Sequence, residues 1–98
     1  MTIDKQKNGD VLTVAVEGRL DTMTAPQLEA ELKESYDGVK ELVLDLSKLE
    51  YISSAGLRVL LSAHKTMAKQ GSMKLTGVGE IIMEIFEVTG FNDILNIE

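Results

Sequence analysis

The tightest constraint on this chain lies in Leu44-Asp45-Leu46-Ser47-Lys48-Leu49-Glu50-Tyr51-Ile52-Ser53-Ser54-Ala55-Gly56-Leu57-Arg58. An apolar strand runs there into two serines that open a helix, so the backbone must change from extended to helical within a few residues. The pair places hydroxyls at a helix N-terminus, where free backbone N–H groups and the positive end of the dipole suit an anion, a phosphoserine included. A switch can operate at such a position without a catalytic site.

The flanking segments supply a sheet and more helices. Asn8-Gly9 is a two-residue turn signal, and Val11-Leu12-Thr13-Val14-Ala15-Val16 beyond it is rich in β-branched residues, which predicts an opening hairpin. Leu12, Val14 and Val16 share one face by alternation, and Gly18 is expected where the chain leaves the strand. Thr24-Ala25-Pro26-Gln27 combines a capping threonine, a first-turn proline and a glutamine three residues after the cap, which predicts a capping box. Leu28, Leu32 and Tyr36 continue that helix to a stop at Gly38. Leu42-Val43-Leu44-Asp45-Leu46 is apolar at nearly every position, as expected of an inner strand covered on both sides, or by helices on one side and loops on the other.

From Ser54 onward, Leu57, Leu60, Leu61, His64, Met67 and Ala68 form a helical apolar stripe. Lys65 and Lys69 lie toward its C-terminal end, where the dipole favours cations, and Gly71 is the expected stop. Met73 to Thr76 reads as a strand. Glu80 to Val88 reads as a helix with Ile81, Ile82, Ile85 and Phe86 apolar, ended by Gly90, and a short turn spans Asn92 to Leu95. Strands alternating with helices after a hairpin predict an α/β domain, with a mixed sheet of about four strands packed against helices and its later strands joined by right-handed crossovers.

Composition narrows the chemistry. The chain has 98 residues, 44% of them hydrophobic, which fits one small domain over 1–98. Sixteen acidic residues against 10 basic ones give a net charge of −6, and no cluster of basic residues interrupts the sequence, so a nucleic-acid partner is not expected. The absence of cysteine rules out disulfides, thiolate metal sites and cysteine nucleophiles. No apolar run approaches the ~20 residues of a membrane span, and the N-terminus lacks a signal-peptide core, so the expectation is a cytoplasmic protein without membrane insertion. With a single histidine, no phosphate-binding glycine loop and no convergent catalytic set, neither an enzyme nor a bound metal or cofactor is expected.

Three segments carry a family resemblance that covers nearly the whole chain. Glu17-Gly18-Arg19-Leu20-Asp21, the switch segment from Leu44 to Leu57, and Ile85-Phe86-Glu87-Val88-Thr89-Gly90-Phe91 resemble, in order and spacing, the motifs of the STAS family, and within it the stand-alone bacterial anti-sigma factor antagonists. The resemblance implies a partner-switching protein that is a substrate and not an enzyme. Unphosphorylated, such a protein binds an anti-sigma factor that is also a serine kinase and so frees a sigma factor for transcription. Phosphorylation by that kinase breaks the complex, and a metal-dependent serine phosphatase restores it.

Carried over by position, the phosphoacceptor is Ser54, with Ser53 the less favoured of the pair, and the partner-binding set is Asp21, Thr22, Met23, Ser53, Ser54, Gly56 and Arg58. Where the family often has aspartate before the phosphoacceptor, this chain has Ser53; both residue types cap helices, so helix initiation is expected to survive. Each assignment has a plainer counterpart: Ser53 as a cap, Asp21 as a pre-helix residue satisfying local N–H groups, Gly56 as a close approach, Arg58 as a solvated side chain, His64 as a packed edge residue, and Met67, Met73 and Met83 as core filler. Met23 is expected to be exposed. The alternative to the switch is a non-switching STAS scaffold or accessory subunit of a larger assembly, such as a lipid-transport system, in which Ser54 serves only as part of a helix start.

Overall fold

The computed structural model describes all 98 residues. Two strands, β1 (Thr2–Asn8) and β2 (Val11–Leu20), are followed by helix α1 (Ala25–Lys33), strand β3 (Glu41–Ile52), helix α2 (Ser54–Gln70), strand β4 (Ser72–Thr76), helix α3 (Glu80–Thr89) and a 3-10 turn at Phe91–Asp93. The sheet runs β1-β2-β3-β4, with β1 antiparallel to β2 and the two remaining pairs parallel. This is the mixed four-strand sheet that the alternation predicts.

Topology dictates the layering. Strand order advances in one direction from β2 to β4, so two right-handed crossovers place α1 and α2 on the same face of the sheet. Register aligns Leu12, Leu42 and Met73 in one row and Val14, Leu44 and Leu75 in the next, and all six are buried. Leu28, Leu32, Leu57, Leu60, Met67, Ile82 and Phe86 from the helices close over these rows in one continuous core of 23 buried residues. The other face is open: Thr13, Val43, Asp45 and Lys74 are only half-buried. Strand β3 therefore follows a one-sided burial pattern, and its unbroken apolar run reflects the half-buried Val43 rather than cover from both sides.

Several local expectations are corrected. The hairpin loop is Gly9-Asp10, with Asn8 paired to Val11; only the first central residue has positive φ (65°), the pattern of a type II′ turn. Gly18 does not end β2. It sits at φ 101° in a bulged stretch where the β2–β3 register shifts twice, and the strand continues to Leu20. Helix α1 stops at Lys33, short of Tyr36: the Ser35 N–H turns to the Leu32 carbonyl at 3.0 Å, and the Glu31 carbonyl is taken by the Ser35 hydroxyl at 2.8 Å.

Helix α2 buries Val59 and Ala63 along with Leu57, Leu60 and Met67, while Leu61 and His64 lie at the edge and Ala68 is exposed. On α3 the core takes Ile82 and Phe86, leaving Ile81 65% and Val88 84% exposed. Met73 and Met67 are buried and Met83 packs against the core. No helix is long and apolar enough to cross a membrane.

Candidate functional site

Parallel pairing of β2 with β3 brings their C-terminal ends side by side, with Leu20 opposite Ile52. The chain leaves one strand at Asp21 and the other at Ser53, so two of the three resemblance segments meet at one end of the sheet. Carboxyl ends of parallel strands are where α/β folds gather functional residues, since the loops there are free of sheet pairing.

Asp21 organises its own loop. Its Oδ1 accepts hydrogen bonds from the N–H groups of Met23 (3.0 Å) and Thr24 (3.1 Å), while the Thr24 hydroxyl accepts from the Asp21 N–H at 2.9 Å and donates to the Arg19 carbonyl at 2.8 Å. This reciprocal pairing is a capping box displaced by three residues from the expected one. Thr24 occupies the position before α1 but makes no side-chain cap, and Ala25 N–H already bonds to the Asp21 carbonyl at 2.8 Å. Partial burial works against the Asp21 carboxylate, but the N–H groups of Thr24 and Met23 outweigh it and hold the acid below its ordinary range.

Arg19 and Tyr51 brace this loop from the sheet. They pair across β2 and β3, the guanidinium lies 4.3 Å from the ring centroid, and its Nε sits 3.8 Å from Asp21 Oδ2. Sequence reading passes over this pair because the two residues are 32 positions apart and only the bulged register sets them opposite one another.

Ser53 and Ser54 are given different environments. Ser53 is the N-cap of α2: its backbone is extended (φ −97°, ψ 176°) and its Oγ accepts from the Gly56 N–H at 3.4 Å. Ser54 is the first helical residue and is exposed. The N–H of Leu57 bonds to the Ser53 carbonyl at 2.9 Å, leaving the N–H groups of Ser54 and Ala55 as the orphan donors of the helix start.

Gly56 is buried, and a Cβ built on it would lie 2.8 Å from Leu20 Cγ and from Ile52 Cγ1 and 3.0 Å from the Leu20 carbonyl oxygen. The missing side chain lets the start of α2 press onto the strand ends.

Beside these strand ends runs an open groove between α1 and α2. Thr22, Pro26 and Glu29 form one wall, and Ala55, Arg58 and Lys65 belong to the other. Of the expected partner-binding residues, Thr22 and Arg58 thus line one groove, while Met23 is 87% exposed. No group of His, Cys, Asp or Glu is arranged to hold a metal ion.

A four-strand mixed sheet, with helices on one face and an exposed serine opening the second helix beside the ends of two parallel strands, defines a small α/β domain with its distinctive polar features at one end. The family model for the STAS domain matches residues 2–98, and the chain belongs to that family. It is 40% identical over 93 residues to the putative anti-sigma factor antagonist BtrV of Bordetella bronchiseptica, covering 93% of this chain and 80% of that one. It also superposes on an anti-sigma factor antagonist from Mycobacterium paratuberculosis with a TM-score of 0.88 and 27% identity, covering 98% and 83% of the two chains. The Bacillus cell fate determinant SpoIIAA in its phosphorylated form shares the fold, with a TM-score of 0.76 at 15% identity over 99% of this chain and 91% of that one.

Proposed function

We propose that this chain is an anti-sigma factor antagonist that works by phosphorylation-controlled partner switching, with Ser54 as the phosphoacceptor. The observation that carries the reading is the division of labour between the two serines. Ser53 holds the helix start with its hydroxyl, while Ser54 leaves its own exposed at the first helical position. A kinase can reach Ser54 without unwinding α2.

In the unphosphorylated state the end of the sheet, from Asp21 through Met23 and from Ser53 to Arg58, meets the anti-sigma factor kinase as a near-neutral surface, and the sigma factor is released. Phosphorylation adds about −1.5 to −2 charges and three acceptor oxygens. The helix N-terminus accommodates them through the free N–H groups of Ser54 and Ala55, so the fold persists. A partner surface fitted to a hydroxyl does not accommodate them, and ~1.4 kcal/mol of lost binding already changes the equilibrium tenfold. A metal-dependent serine phosphatase returns the chain to its binding form. The relative named as an anti-sigma factor antagonist supports the antagonist reading, and a protein of the same fold is named in a phosphorylated form.

Incubation with the cognate kinase and ATP, followed by peptide mass spectrometry, tests the assignment. The expected product carries one phosphate on Ser54; absence of label, or label only away from Ser53 and Ser54, rejects it. A non-switching subunit of a transport assembly would instead remain unlabelled.

A further inference from the structure

Helix α2 is electrostatically unlike the rest of the chain. Its 17 residues include Arg58, Lys65 and Lys69 and no aspartate or glutamate, in a chain with 16 acidic residues and a net charge of −6. At 100° per residue these three cations fall on the same helix face as Ser54, which precedes Arg58 by one four-residue step. Lys5, Arg19, Lys33, Lys48 and Lys74 enter ion pairs, whereas the three cations on α2, like Lys7 and Lys40, do not. They line the groove against α1, whose single carboxylate there, Glu29, is already engaged by Lys33 at 2.9 Å. The helix dipole accounts for cations in the last turns but not for Arg58, the fifth residue of the helix.

We propose that this stripe is a docking surface for an acidic helical face of a protein partner, and that phosphate on Ser54 acts partly by competing for Arg58. The inference rests on the reading of Ser54 as the switch. Arg58 to Lys69 spans about 16 Å of helix, which suits carboxylates spread over three turns of a partner helix. A concave groove between two helices receives a protruding segment, whereas a bilayer cannot follow it. A phosphate polymer would meet the net negative charge of the remaining surface within a Debye length of about 10 Å. Phosphate on Ser54 lies one helical step from Arg58 and repels incoming carboxylates, so the modification both neutralises the attractive charge and adds a repulsive one.

The test follows the amide spectrum of the full chain in three titrations. One uses a helical peptide with glutamates at seven- and four-residue steps, one uses vesicles of phosphatidylcholine and phosphatidylglycerol, and one uses a mixed-sequence DNA duplex. The peptide is expected to shift residues 54–69, to bind about tenfold more weakly to the Lys65→Gln/Lys69→Gln variant, and to lose affinity as ionic strength rises from about 0.05 to about 0.5 M. Equal binding of wild type and variant overturns the inference, as does a stronger response of the stripe to vesicles or DNA. In the kinase assay the same variant should show a raised KM for this chain at unchanged kcat, and an unchanged KM counts against the stripe. Failure of both wild type and variant to be labelled rejects the switch reading and with it the competition for Arg58, while the peptide titration decides the docking stripe independently.

Discussion

The Ser53 N–H donates to the Leu20 carbonyl at 2.9 Å, so the last residue of β2 and the cap of α2 are joined by a backbone bond. The Asp21 loop leaves the sheet immediately after Leu20, and Ser54 follows Ser53. The two segments expected to meet a partner are thereby fixed to one another through the main chain, with no dependence on side chains that a binding event would disturb.

That junction is held tight at Gly56. Gly56→Ala would drive a methyl group into Leu20 and Ile52 and toward the Leu20 carbonyl. We expect a loss of about 1–3 kcal/mol in urea denaturation, the range for overpacking a close contact. Gly79→Ser, at a helix start where an added Cβ meets open space, is expected to be neutral or slightly stabilising. Equal losses for both variants would rule out packing at Gly56 as the cause.

The two serines should separate in stability measurements. Ser53→Ala removes the cap on α2, and at 3.4 Å that bond is long, so the loss is expected near the lower end of cap substitutions, about 0.5 kcal/mol. Ser54→Ala, at an exposed first-turn position, should change stability by less than about 0.5 kcal/mol. Thermal melts of the two variants give the comparison.

Binding should depend on the charge at position 54. Ser54→Ala is expected to retain affinity for the anti-sigma factor kinase, and Ser54→Asp to weaken it about tenfold or more while remaining folded. Titration calorimetry on both variants, with circular dichroism as the folding check, distinguishes the outcomes; equal affinities would exclude charge as the basis of the switch.

Stability should fall on the acid side. Asp21 is held below its ordinary 3.8 because the N–H groups of Thr24 and Met23 outweigh its partial burial. Glu31 is lowered from 4.5 chiefly by the Lys5 ammonium at 2.6 Å, and Asp45 from 3.8 by the Ser47 N–H. Each carboxylate is easier to ionise folded than unfolded, so its contribution is present above the unfolded value and is lost as pH falls through the folded one. Melting temperatures should therefore be level near pH 7 and drop below about pH 4. Asp21→Asn, which keeps an acceptor but no titrating group, should lessen that drop. Lys5, raised by its bonds to Glu31 and then Glu34, contributes below its ordinary 10.5 and loses that contribution only in strong alkali.

Much of this architecture could be read from residues alone, because Leu12, Val14 and Val16 alternate cleanly and Leu57, Leu60 and Met67 recur at helical spacing. Ser53 and Gly56 were equally legible, since caps and close approaches are local. The readings that failed depended on neighbours far along the chain. Thr24 and Gln27 satisfy the capping pattern, yet the Thr24 hydroxyl is taken up by the Asp21 N–H and the Arg19 carbonyl, and the Gln27 N–H bonds to the Thr24 carbonyl instead. Helix α3 is apolar on most sides, so its sequence could not indicate that Ile82 and Phe86 face inward while Ile81 and Val88 face solvent. Lys65 and Lys69 look like dipole partners until the fold sets them with Arg58 along one groove.

The pairing of Leu75 with Ile97 has its own consequence. Leu75 N–H bonds to the Asn96 carbonyl and Glu98 N–H to the Leu75 carbonyl, both at 2.8 Å, so residues 96–98 occupy the outer edge of β4. Strand recruitment is thereby obstructed at the Leu75 end of β4, and the opposite border, β1, carries Lys5 and Lys7 on a polar strand that discourages it. Neither sheet border invites self-association by backbone pairing, so what this domain meets is decided by its side-chain surfaces.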